Sequence, residues 1–404
     1  MNSSPRLEDH LEQIARMEPR VSALVGWDEA RARRNLERAS PGPLSGWALG
    51  VKDIIDVAGQ PTRCNADFVP AEAVSSNADV VERFLDLGAF VLSKTVTTTF
   101  AYLDPGPTRN PWNLDHTPGG SSSGSAAAVA CGMARVSIGS QTVASVNRPA
   151  SFCGVVGFKP TYDRLSTQGV FPFSPSVDTL GFFTLCVEDM QQVFSALEGE
   201  PVPAPPSKVR VGFVEDLFTN PPEDEMQDAL EELYEKLAAA GFQARRCCLP
   251  AMTAEAYANH TSLISAEVVT SHREFYARYG EAYPRKLRKL IMNGMRVSAD
   301  ELARIDSCRV RLRRAIDELF ADFDVLVTPS AAGPAPVGID TTGDPRFSLI
   351  WTHTGYPTVT LPLRLSQLGL PLGVQLAGPM LQGGALLAAA SSIKSVIDFD
   401  QLVS

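Results

Sequence analysis

Seven consecutive residues drawn only from glycine and serine, Gly119 to Ser125, run straight into Ala126-Ala127-Ala128-Val129-Ala130. Such a stretch cannot build a core, because it buries almost no apolar area and glycine loses the most backbone freedom on folding. It does not read as a flexible linker either, since linkers do not lead directly into a strong helix-forming run. Its use must lie in backbone geometry or in the hydroxyls. The same stretch, which opens at Thr117, goes on to Thr142-Val143-Ala144-Ser145.

The 404-residue chain is 44% hydrophobic and 20% charged, the balance of a soluble globular protein able to bury a large core. A net charge of -10 without a long Lys/Arg run argues against a nucleic-acid surface; Arg311-Leu312-Arg313-Arg314 reads as a solvated helix face. The seven cysteines form no C-x-x-C pair, and Cys131, Cys153 and Cys186 sit among apolar residues. That usage points to a reducing, cytoplasmic compartment. Met1 to Arg20 mixes charges of both signs without the apolar segment of a signal peptide, and no apolar run is long enough to span a membrane.

Along the chain, apolar strand-like runs alternate with amphipathic helices. Trp47 to Val51 reads as a buried strand ending on Lys52-Asp53, Ala78 to Gly88 as a helix, Ala89 to Ser93 as the next strand, Gly124 to Met133 as a buried helix and Val136 to Gly139 as a strand that delivers Ser140 and Ser145. This is α/β alternation. Pro149 to Thr161 reads as tightly turned core, Val187 to Glu198 as a helix, and Pro201 to Pro206 as a boundary. Beyond it come a strand at Val209 to Phe213, charged helices at Asp224 to Ala240, Ala266 to Arg278 and Ala299 to Phe320, a strand at Asp324 to Val327, and a closing hairpin from Thr358 to Pro362 and Leu372 to Leu376.

The five histidines are scattered, without H-E-x-x-H or zinc-ligand spacing, and the Gly/Ser loop lacks G-x-x-x-x-G-K-[ST]; neither a metal site nor a phosphate cradle is expected. Gly120-Ser121-Ser122-Ser123-Gly124 does match G-x-S-x-G, which would make Ser122 the nucleophile of an α/β-hydrolase-type esterase with His353 as base. That motif needs a strand immediately before it, and Asn113 to Pro118 does not read as one. The remaining route to an activated serine is a neutral lysine as base. A lysine closing a buried strand, as Lys52 does, is costly to keep charged unless paired.

Gly50-Val51-Lys52-Asp53, Thr117 to Ala130 and Pro149 to Thr161, in that order, resemble the amidase signature family. The resemblance is close over residues 45 to 195 and looser at Thr328-Pro329, Thr354 to Pro357 and Pro371 to Pro379. It implies an α/β fold, one large domain with a central mixed β-sheet flanked by helices. Within residues 1–404 it implies N-terminal helices at 1–44, a signature core at 45–200, a variable helical cover at 205–320 and a return to the core sheet at 321–404.

The resemblance further implies that Lys52 is the base, Ser121 a bridging serine on a cis peptide after Gly120, and Ser145 the nucleophile of an acyl-enzyme. Backbone N–H groups of Thr142, Val143, Ala144 and Ser145 would form the oxyanion hole, with Ser122 and Ser140 supporting the network and Trp351 and His353 lining the pocket. Such donors contribute roughly 3 kcal/mol each. The implied reaction is hydrolysis of a small-molecule amide, carbamate or acylurea, with no cofactor, no nucleic-acid or membrane partner, and a homodimer allowed for. Val143-Ala144 stand where glycine is usual in the family, Gln141 where many members carry an acid, and Asn147 where an apolar or basic residue is commoner. These departures weigh against a tRNA-dependent amidotransferase subunit, and they leave open a catalytically weakened member that serves as a binding or amidotransferase subunit.

Overall fold

Eleven strands hydrogen-bond into one continuous sheet in a computed structural model that describes residues 6–206, 208–215 and 221–399. Residues 1–5, 207, 216–220 and 400–404 of the expected domain lie outside the described residues. In chain order the strands are β1 (Leu24–Val25), β2 (Ala48–Lys52), β3 (Phe90–Thr95), β4 (Val136–Gln141), β5 (Val156–Lys159), β6 (Thr179–Thr184), β7 (Arg210–Val214), β8 (Gln243–Cys247), β9 (Val325–Pro329), β10 (Thr358–Leu365) and β11 (Pro371–Ala377). Their spatial order is β1-β3-β2-β4-β6-β5-β10-β11-β9-β7-β8. The sheet is mixed: β3, β2 and β4 run parallel, as do β9, β7 and β8, and antiparallel pairs join the two groups. The expected single α/β domain is therefore present, and the expected closing hairpin is β10 with β11.

The inner strands β2 to β6 and β9 are buried along their whole length, which is why they read as apolar runs rather than as alternating ones. Pro149 to Thr161 is more regular than its prolines and glycines suggest. It forms a helix, Asn147–Cys153, turns at Gly154 with φ of +67°, and enters β5. Proline is tolerated there because it falls in the first turn.

The stretch 205–320 is not only helical, because it adds β7 and β8 to one edge of the sheet. Its helix expected at Ala266 to Arg278 is two, Thr253–Ser271 and Arg273–Tyr279. The first was hard to delimit because its buried side carries Thr253, Asn259, His260 and Ser265 among the apolar residues, so the periodicity that marks a helix is blurred. Among the described residues no helix is long and apolar enough to cross a membrane.

Candidate active site

Strand β2 lies between β3 and β4, so its last side chain, Lys52, ends in the interior with no exposed surface. Lys52 Nζ lies 2.7 Å from Ser121 Oγ and 2.8 Å from Ser140 Oγ. Both contacts are hydroxyls. Desolvation dominates and pushes the amine down to about 7, against a weaker opposing pull from Asp178 and Cys64. A lysine in this state offers a lone pair near neutral pH.

Ser121 arrives through the Gly/Ser loop. Gly119 has φ of +79°, and a Cβ there would stand 2.9 Å from the Cα of Pro149, so only glycine fits. The peptide bond between Gly120 and Ser121 is cis, as the resemblance implies. Its two flanking carbonyls are held: Arg148 donates to the Gly120 oxygen at 2.7 Å, and the Thr98 N–H donates to that of Ser121 at 3.2 Å. Arg148 also donates to Gly343 and Thr342, and burial lowers its guanidinium to about 10. Sequence reasoning passed over Arg148; the only signal was an arginine in a segment otherwise fit for the core.

Ser122 is fully buried, and its hydroxyl sits 3.2 Å from both the N–H and the carbonyl of Ser140. It clamps the loop to β4. No strand precedes it, so the strand-turn-helix context of a nucleophile elbow is absent at Ser122.

The segment after β4 carries the other expected groups. None of Thr142, Val143, Ala144 and Ser145 has a positive φ, so this loop dispenses with glycine without entering the left-handed region. Three of its carbonyls, those of Thr142, Val143 and Ala144, are tied back. His260 Nε2 lies 2.9 Å from the Thr142 oxygen, Thr352 Oγ donates to that of Val143 at 2.8 Å, and the Arg148 N–H donates to that of Ala144 at 3.0 Å. The N–H groups of Val143, Ala144 and Ser145 donate to nothing among the described residues, and the Ser145 hydroxyl likewise has no partner there.

Gln141 uses both ends of its amide. Its side-chain oxygen accepts from the N–H groups of Val146 (2.8 Å) and Asn147 (3.0 Å), while its amide nitrogen donates to Thr352 Oγ at 2.9 Å. A carboxylate could accept but not donate. Asn147 is likewise occupied, bridging to Thr358 and Thr360 on β10. On the other side, Thr142 Oγ donates to Asp178 at 2.6 Å, and the second Asp178 oxygen accepts from the N–H groups of Phe173 and Ser174.

A cavity of about 370 Å³ opens beside Ser140, Thr142 and Asp178 and is otherwise walled largely by Ile54, Val170, Phe171, Phe173 and Leu180. Trp351 and His353 are not on its wall. Both lie on the helix Arg346–Thr354, whose side chains from Phe347 to Thr354 are all buried. Trp351 packs with Ile350 and Tyr356, and His353 Nδ1 lies 3.3 Å from His260 Nδ1. His260, Thr352, Arg148 and Asp178 are thus the site residues that sequence reasoning missed. Among the described residues no group of three or more metal-ligating side chains converges.

The amidase family matches over residues 6–387. The chain is 32% identical to 2-amino-5-chloromuconic acid deaminase from Comamonas testosteroni, over 95% of this chain and 90% of that protein. It is 29% identical to a glutamyl-tRNA(Gln) amidotransferase subunit of Synechococcus sp. (strain RCC307), over 98% and 95% respectively. A crystal structure of an amidase superposes with a TM-score of 0.89 at 30% identity, covering 97% of this chain and 95% of that one. With a family match across nearly its whole length and an amidase as structural neighbour, the chain belongs to the amidase family and is an enzyme acting on carbon–nitrogen bonds.

Proposed function

We propose that this amidase hydrolyses an amide-type bond of a small molecule through an acyl-enzyme on Ser145, with Ser121 as proton bridge and Lys52 as base. The observation that carries the reading is the buried Lys52 amine, brought to about 7 and placed 2.7 Å from Ser121 Oγ. Ser121 passes its proton to Lys52 and takes one from Ser145 Oγ, which attacks the carbonyl carbon. The oxyanion is met by the unengaged N–H groups that follow Thr142. The proton returns through Ser121 to the departing nitrogen, and water then releases the acid. Every proton is accounted for by the chain and water, so the reaction calls for no cofactor.

The largely apolar cavity beside Ser140 and Thr142 suits an uncharged aliphatic or aromatic group, and the 32% identical relative is named for deaminating a small molecule. Amides, carbamates and acylureas are the substrate classes to assay. A second reading, an amidotransferase subunit, is favoured by the 29% identity to such a subunit over 98% of this chain. A fluorophosphonate followed by mass spectrometry tests the catalytic core of the proposal. An adduct on Ser145, absent from Ser145→Ala, is expected; no adduct, or one on Ser122, sinks it. Hydrolysis across the three substrate classes by the chain alone separates the hydrolase from a subunit that works only in a complex.

A further inference from the structure

His260, backed by His353, lies outside every motif that carries the family resemblance, yet it touches the catalytic loop. We infer that His260 is a positioning residue that aims an oxyanion-hole N–H by holding the Thr142 carbonyl from behind, with His353 fixing its tautomer. This rests on the proposed roles of Ser145 and the N–H groups around it.

A carbonyl and the N–H of the next residue share one rigid plane and point in opposite directions. Whatever grips the Thr142 oxygen therefore sets the direction of the Val143 N–H. By the same geometry Thr352 sets that of Ala144, and the Arg148 N–H sets that of Ser145. In relatives that carry glycine here the backbone has wide freedom; Val143 and Ala144 narrow it, and the three anchors complete the constraint from outside the loop.

The hydrogen-bond roles within the anchor are determined. A carbonyl can only accept, so His260 Nε2, 2.9 Å from the Thr142 oxygen, carries the proton. Its Nδ1 is then a bare acceptor facing His353 Nδ1 at 3.3 Å, with the rings near perpendicular at 80°. His353 must accordingly be protonated on Nδ1. The pair is enclosed, with both side chains about 1% exposed. Burial lowers both imidazoles, His260 to about 4, so both stay neutral and the donor remains aimed. The His353 carbonyl accepts from Arg309 at 3.0 Å, which fixes this helix to the long helix Ala299–Asp322.

The test measures inactivation by a fluorophosphonate, separating the rate constant at saturation from the half-saturating concentration. Ser145 Oγ attacks phosphorus, fluoride leaves, and the phosphonyl oxygen occupies the oxyanion hole. His260→Leu should lower the rate constant about 10- to 100-fold while the half-saturating concentration stays within about twofold. His260→Gln, whose amide N–H reaches as far as Nε2, should recover most of the rate; His260→Asn, the same group one carbon shorter, should not. If His260→Leu does not fold, the Gln-against-Asn contrast decides. Equal rates for those two, or an unchanged rate constant in His260→Leu, overturn the inference. Ser145→Ala separates the two levels. Labelling that persists in it removes the proposed mechanism, whereas labelling that vanishes in it but is unmoved by the His260 variants removes only this inference.

Discussion

Two buried lysines stand one strand apart and meet opposite fates. Lys52 closes β2, and Lys94 lies on β3 opposite Val51; both are essentially without exposed surface. Lys94 is surrounded by groups that stabilise an ammonium. Asp53 sits 2.9 Å away, and the oxygens of Ile55, Pro61 and Thr62 accept from it within 3.2 Å. Lys52 has two hydroxyls and no carboxylate within contact. Burial is common to both; only the partners differ. The two lysines thus differ in what the neighbouring strand ends supply: Lys94 is paired with a carboxylate, whereas Lys52, the proposed base, meets only hydroxyls.

The largest expected effect comes from deleting the base. Lys52→Met should lower the rate of acylation about 10²- to 10⁴-fold, read by fluorophosphonate labelling, while urea unfolding shows stability unchanged or improved. Lys94→Met should do the reverse, leaving Asp53 as an unpaired buried carboxylate and costing about 3–5 kcal/mol in urea unfolding. If Lys52→Met were the less stable of the two, the contrast between them would collapse.

A pH series sharpens it. In the proposed mechanism the neutral amine is the active form, so labelling should fall about tenfold per unit below the Lys52 value of about 7 and level off above it. An inflection near the ordinary lysine value would contradict this. Stability carries the same signature. The folded-state value lies below that of the unfolded chain, so the unfolded chain binds more protons between about pH 7 and the ordinary 10.5. Stability should therefore rise with pH across that window in the wild type, and this contribution should be missing from Lys52→Met. The smallest effect is expected from Gln141→Glu, which exchanges the amide for a carboxylate of the same length. It removes the donor to Thr352 Oγ and leaves two acceptors facing one hydroxyl, a loss of about 1–3 kcal/mol visible as a lowered thermal midpoint and slower labelling.

How much of this was legible in the sequence follows from where each constraint resides. A buried strand ending on Lys52 and a loop of glycine and serine around Ser121 mark both stretches as unusual, but the roles of Lys52 and Ser121 were implied by the family resemblance. The cis bond after Gly120 and the network roles of Ser122 and Ser140 followed from family resemblance, and hydrogen bonds now give each of those serines a partner. His260 could not be read. It lies in a helix whose buried side mixes polar and apolar residues, its partner His353 is far away in the chain, and nothing local marks His260. Arg148 and Asp178 share that character, since most of what they hold is backbone, which carries no residue signature. Trp351 and His353, expected at the pocket wall, are buried in their helix and do not line the cavity beside Ser140.

The borders of the sheet carry a consequence for association. At one end β1 is a two-residue strand that runs into Gly26. At the other, β8 presents Arg245 over the Phe323 ring and Arg246 bound to Glu215 and Glu231. Short length and guanidinium groups are the features by which natural sheets refuse further pairing. Both borders thus carry features that disfavour strand addition by a second copy of this chain.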